Sequence, residues 1–204
     1  MLIKYPRTFH FPWSSGTNDD KVLKDTSHFY GKQVVVTEKM DGECTTILQS
    51  TCHARSISSV YHPSQSYVKG LWGKIRYNIP DGERICGENL YARHTIPYDD
   101  LEDYFLGFSY WRNEICFDWE NTLHIFETLG IKHVPIIYEG EYNEDFLQHL
   151  KLRDTQEGYV VRLSSSFNYN DFGLSIAKYV SPKFVIPNKH WKFEKIVPNN
   201  LKGQ

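Results

Sequence analysis

The sequence lacks any run of apolar residues long enough to cross a bilayer, and Lys4, Pro6 and Arg7 interrupt the stretch Met1–Phe11, where a leader would need an apolar centre. A membrane span and a secretory leader are not supported, so the expectation is a soluble intracellular (cytoplasmic) protein with no membrane partner. Cysteine is scarce and scattered: Cys44, Cys52, Cys86 and Cys116 form no C-x-x-C, and none of the nine histidines makes an H-x-x-x-H pair. That spacing argues against zinc and for free thiols in a reducing compartment. An excess of one charge is also missing, since 23 Lys and Arg stand against 25 Asp and Glu, for a net charge of −2. A strongly basic global field is therefore excluded, and any nucleic-acid surface must be local. Internal repeats and low-complexity segments are absent.

What is present suits one globular domain: 204 residues, 40% hydrophobic and 24% charged. Aromatics reach 15%. They fill cores, and they also stack on bases. Val34–Lys39 is valine-rich and predicts a strand, Cys44–Leu48 a second beyond the Asp41-Gly42 turn, and Thr51–Ser58 a third. Between Pro63 and Ile75, Val68, Leu71, Trp72 and Ile75 fall on one helical face. Glu83–Gly87 and the aromatic run Tyr104–Trp111 predict strands. Trp119–Leu129 predicts a helix stopped by Gly130, and Asn143–Leu150 a helix capped by Asn143. His133–Tyr138, Gly158–Leu163 and Leu174–Val180 predict further strands, and the proline-bearing tail from Ser181 reads as irregular. Strands outnumber helices and often follow one another. That predicts an α+β fold with antiparallel sheets rather than a doubly wound sheet.

Glu38-Lys39-Met40-Asp41-Gly42 puts a lysine at the end of a strand beside a tight turn. In a strand, Lys39 shares a face with Val35 and Thr37. On that segment alone, a solvated hairpin lysine fits as well as a nucleophile in a cleft. Four more segments follow in order: Cys86-Gly87-Glu88-Asn89-Leu90, the aromatic strand Tyr104–Trp111, Glu157-Gly158-Tyr159-Val160-Val161-Arg162, and Ser175-Ile176-Ala177-Lys178-Tyr179-Val180. This series, from about Val34 to Phe184, resembles the covalent nucleotidyltransferase superfamily of RNA ligases, DNA ligases and capping enzymes. The Tyr5-Pro6-Arg7-Thr8-Phe9 opening, Thr37 and Glu38 before the lysine, and His190-Trp191 after the last strand look closest to ATP-dependent RNA ligases.

The resemblance assigns roles. Lys39 matches the nucleophile that attacks ATP and carries AMP, which requires a neutral amine and hence a lowered pKa. Lys178 matches the lysine that neutralises the triphosphate. Glu88 matches the ribose-binding glutamate, and Glu157 the ligand of Mg²⁺ or Mn²⁺. Phe108, or Phe105 if the register differs, matches the ring that stacks on adenine, and Glu38 the reader of its amino group. Arg55 is either a phosphate clamp or an exposed strand arginine. Asp41 either orients Lys39, binds metal through water, or simply makes a turn. The family pattern has a second lysine where Val180 stands, and Lys183 is the candidate replacement.

The implied partners are RNA ends bearing a 5′-phosphate and a 3′-hydroxyl; no protein partner is implied. About two dozen residues follow Lys178, too few for an oligonucleotide-binding barrel. The expectation is one adenylyltransferase domain over residues 1–204, with 181–204 as a basic tail packed on it. From Lys178 onward six lysines face one acid, Glu194, with Tyr179, Phe184, Trp191 and Phe193 interleaved, a composition suited to nucleic acid. The competing readings are a capping-type guanylyltransferase, a DNA ligase, and a catalytically silent RNA-binding module of the same fold.

Overall fold

The computed structural model describes residues 2–16, 20–57, 62–184 and 195–203. Runs of β-branched and aromatic residues make the strands, as their fit to a pleated, packed surface requires. The valines Val34, Val35 and Val36, all buried, lie in β2 (Gln33–Glu38). That strand sits inside a five-stranded sheet with β1 (Phe9–His10), β9 (Ile136–Glu141), β10 (Gly158–Leu163) and β12 (Ile176–Val180), in the order β1-β12-β10-β2-β9. Its pairs are antiparallel except β1 with β12. The second sheet runs β11 (Phe167–Asn168), β7 (Ile115–Cys116), β6 (Phe105–Arg112), β5 (Glu83–Asn89), β3 (Glu43–Leu48) and β4 (Cys52–Ala54), all antiparallel. A further short strand, β8 (Lys132–His133), lies parallel to β6.

Two helices cover the outer face of the second sheet. One is α1 (Ser66–Ile75), entered through a single turn at Pro63–Gln65. The other is α2 (Trp119–Leu129), where Asp118 accepts from Asn121 N–H at the start and Gly130, at φ 68°, closes the end. Val68, Ile75 and Phe126 pack there against Ile47, Ile85, Phe105 and Tyr110. The helix α3 (Glu144–His149) begins at Asn143, whose side chain accepts from Phe146 N–H. It closes a core of Phe11, Phe29, Val34, Val36 and Tyr159 on the first sheet.

Three expected elements differ. Of Thr51–Ser58 only Cys52–Ala54 is strand, and Ser58 lies outside the described residues. His133–Tyr138 is two strands split at Pro135: proline cannot donate to a ladder, and β8 and β9 join different sheets. Leu174–Val180 becomes strand only at Ile176, because α4 (Phe172–Ser175) precedes it. Near the chain end, Asn199 is buried, donates to Leu90 O and accepts from Tyr98 N–H, which ties that segment to the domain. Among the described residues no helix is long and apolar enough to cross a membrane.

Candidate active site

The period of two along a strand sets one wall of a cavity of about 430 Å³ between the sheets. On the first sheet Thr37, Val160 and Lys178 are register partners across β2, β10 and β12. With Arg162 and Ile176 they line the cavity. Lys39 follows β2 directly, on the Thr37 face, and its Nζ donates to Glu157 just ahead of β10. Its backbone N–H donates to Gly158 O at 3.0 Å, which fixes the turn of chain that presents the amine.

The second sheet supplies the opposite wall through Cys44, Ala54, Arg55, Glu88 and Phe108. Cys44 and Glu88 are cross-strand partners. The β5–β6 ladder slips between Cys86 and Gly87: Cys86 faces Ser109 and Gly87 faces Gly107. Phe108 is the extra residue of that bulge, and a bulge re-aims the side chain it carries. The slip explains how Phe105 and Tyr110, five apart on one strand, share the outer cluster while Phe108 turns into the cavity against Tyr5. Phe105, 1% exposed, is core.

Electrostatics divide the charged groups. Burial pulls Lys39 down, but its Glu157 partner, with Glu88 and Asp41 behind it, outweighs burial and leaves its pKa above the usual lysine value. The Glu157 carboxylate favours the charged amine, in the opposite sense to the lowered pKa that attack requires. The lowered amine is Lys178, pushed to about 8 by burial and by the Lys39 charge. Burial pushes Glu88 up to about 8, with Lys39 opposing and the Glu157 and Asp41 charges adding. Burial likewise raises Glu157, with Lys39 opposing.

Glu38 lines the cavity and accepts from Arg153 Nη2 at 2.6 Å, a partner the sequence reading did not name. Burial raises its pKa, partly offset by Arg153. Arg55 is exposed at the cavity rim. Asp41 lies off the cavity lining. Its Oδ2 accepts from Thr95 N–H and Ile96 N–H at 2.7 and 2.9 Å, and this anchors the loop that carries His94 to the cavity. Lys183 is not brought to the cavity: it is exposed and donates to Asp154 Oδ1 at 2.5 Å. The tail residues His190, Trp191 and Phe193 lie outside the described residues. Other site residues escaped the sequence reading. Arg162 is buried, with its guanidinium donating to the Phe108, Phe117 and Leu163 carbonyls. Its signal was a charge at period two on an otherwise apolar strand.

Among the described residues no three His, Cys, Asp or Glu side chains gather into a metal cage. The donor set suits a hard cation that keeps phosphate and water ligands, which needs only one or two carboxylates: Glu157 and Glu88 are both half-buried carboxylates held above their usual pKa.

Two facing sheets, with a lysine at a strand end and carboxylates and cations around a shared cavity, define a ligase-type nucleotidyltransferase fold, and solved structures agree. The chain superposes on a protein of Aquifex aeolicus described as an ATP-dependent DNA ligase, with TM-score 0.59 and 18% identity over 88% of this chain and 50% of that one. An archaeal ATP-dependent RNA ligase gives TM-score 0.58 and 17% identity over 88% and 48%. A lysine-to-alanine variant of Naegleria gruberi RNA ligase, solved with ATP and Mn, gives 0.55 and 15% over 90% and 62%. The chain thus spans about half the length of the first two. No curated protein matches its sequence. The RNA ligase family profile matches residues 32–180, and the chain belongs to that family.

Proposed function

We propose that residues 1–204 form one adenylyltransferase domain of an ATP-dependent RNA ligase that carries AMP on Lys39. One observation carries this reading: Lys39, Arg55, Glu88, Phe108 and Lys178, scattered along the sequence, line a single cavity in a chain of the RNA ligase family. The neutral Lys39 amine forms a bond to the α-phosphorus of ATP. The bond from that phosphorus to its bridging oxygen breaks, and the electron pair leaves with pyrophosphate. Phe108 offers its ring to adenine, with the Glu38–Arg153 pair at the edge of the base. Glu88 faces the ribose, and Arg55 and Lys178 face the phosphates, where positioning and charge supply most of the rate. AMP then passes to an RNA 5′-phosphate, and a 3′-hydroxyl displaces it to seal the strand.

Glu157 is the residue that would hold a divalent cation, Mg²⁺ or Mn²⁺. That cation's contribution is charge neutralisation and Lewis acidity at the phosphate oxygens. A cation held there would compete for the carboxylate that pairs with Lys39.

The test uses α-labelled ATP and Mg²⁺ without nucleic acid, read on a denaturing gel. Label on the wild-type band that disappears in Lys39→Ala supports the reading. No label at high pH, after pyrophosphate has stripped any resident AMP, leaves an RNA-binding module as the better account. Label from GTP alone overturns the adenine assignments of Glu38 and Phe108.

A further inference from the structure

From Cys44 to Pro80 the sequence contains no Asp and no Glu, in a chain that has 25 of them. The same stretch carries Arg55, Lys69, Lys74 and Arg76. In a protein of net charge −2 this is a second local basic stretch, besides the lysine-rich tail from Lys178. Most of it is α1. That helix buries Val68 and Ile75 and packs Leu71 and Trp72 on the core. Ser66, Lys69, Gly70, Gly73, Lys74 and Tyr77, at helical spacing, form its exposed side.

Two features of this side have no folding explanation. Gly70 and Gly73 weaken a helix relative to alanine, yet a Cβ at either would meet nothing within 4 Å. Neither has a positive φ. They leave bare backbone between two lysines. Tyr77, just past the helix, is 79% exposed. The Arg76 guanidinium lies over both the Trp72 ring at 4.3 Å and the Tyr77 ring at 5.0 Å.

The helix also points away from the cavity. Ser64, just before it, accepts from Asn89, the neighbour of Glu88, and Trp72 donates to Leu48 O at the far end of β3. Ten residues carry the track about 15 Å outward, beginning beside Gln65, which donates to Oε1 of the cavity-lining Glu43 at 2.9 Å.

The geometry points to the exposed side of α1 as the docking track for the RNA strand that leaves the cavity. Its phosphates lie at Lys69 and Lys74, its backbone closes onto Gly70 and Gly73, and an unstacked base rests on Tyr77. Lysines neutralising phosphates and an aromatic face for a base are the two terms of single-strand binding. This inference rests on the ligase reading above.

The test is a fluorescence-anisotropy titration of a 5′-phosphorylated 20-nucleotide RNA at several salt concentrations, run beside self-labelling by ATP without RNA. Lys69→Ala/Lys74→Ala should label like wild type, bind the RNA about tenfold more weakly, and lower the log–log salt slope by about 1.4. Gly70→Ala/Gly73→Ala should move two readouts in opposite senses: Tm rises by about 4 °C while RNA affinity falls. Wild-type affinity and salt slope in the lysine variant would overturn the docking track, as would a glycine variant that gains stability with no loss of RNA binding. If wild type itself does not label, the ligase reading fails, and the RNA titration separately decides whether this face binds RNA.

Discussion

Gly158→Ala tests whether the first sheet holds the reacting groups in place. Gly158 opens β10, one residue after Glu157 and opposite Val180 on β12. A Cβ built there would lie 1.9 Å from Tyr179 O, 2.8 Å from Tyr179 C and 3.1 Å from Val180 Cα. All three are backbone atoms, so no side chain can swing aside. To clear even 3.0 Å the strands must part by about 1 Å. That movement disturbs the Lys39 N–H to Gly158 O bond, the Ser181 N–H to Glu157 O bond and the end of the β10–β12 ladder. At about 1 kcal/mol for each backbone bond loosened, the loss is about 3 kcal/mol. For a chain of this size Tm should fall by about 6–12 °C. The same shift moves Lys178, next to Tyr179, away from Lys39, and a displacement of about 1 Å costs on the order of 100-fold in rate. Thermal melting by circular dichroism and the rate of labelling by ATP measure the two effects. A variant with Tm within about 2 °C of wild type, under 1 kcal/mol for a chain of this size, and an unchanged labelling rate would refute the argument.

Three other substitutions separate the roles assigned above. Phe108→Ala should raise the KM for ATP about tenfold, since base–aromatic stacking is worth about 1–3 kcal/mol, whereas Phe105→Ala should cost about 3–5 kcal/mol of stability; ATP titration and melting distinguish them. His10 is held down to about 4 by burial, with the Lys178 charge adding and Asp20 opposing. The unfolded chain therefore takes up a proton below pH 6.5 that the folded chain refuses, so this contribution is full above pH 6.5 and is lost as pH falls through 4. Discounted for partial solvent screening, the loss is about 1–2 kcal/mol; melts at pH 7 and pH 4.5 should show it, and His10→Gln should flatten it. Lys183→Ala should label within about twofold of wild type, because an exposed ion pair contributes little; a large loss would return Lys183 to the phosphates.

Much of the fold was legible because its signals are local. The valines of β2, the helix Trp119–Leu129 with its Gly130 stop, the Asn143 cap and the strand Gly158–Leu163 stand where the pattern puts them. The misread boundaries share a cause. The run around Pro135 is apolar at both ends, and nothing in its composition says that its halves join different sheets. The same holds for the bulge at Phe108, since a register is a relation between two strands and neither strand encodes it alone.

For the site, the sequence by itself determined which chemical groups exist and in what order: the nucleophile-like Lys39, the carboxylates Glu88 and Glu157, the cations Arg55 and Lys178, and the aromatic run. Period two along one strand put Lys39 on the Thr37 face, but that Val160 and Lys178 share that face is a register only the sheet fixes. Only the tertiary structure decided which groups meet. It turned Phe108 into the cavity and Phe105 into the core, gave Glu38 the Arg153 partner, set Asp41 against the backbone of residues 95 and 96, and turned Lys183 to Asp154. It also decided their charges. A pKa depends on burial and on neighbours within a few ångströms, and for Lys39 and Lys178 those neighbours come from strands more than a hundred residues apart in the chain.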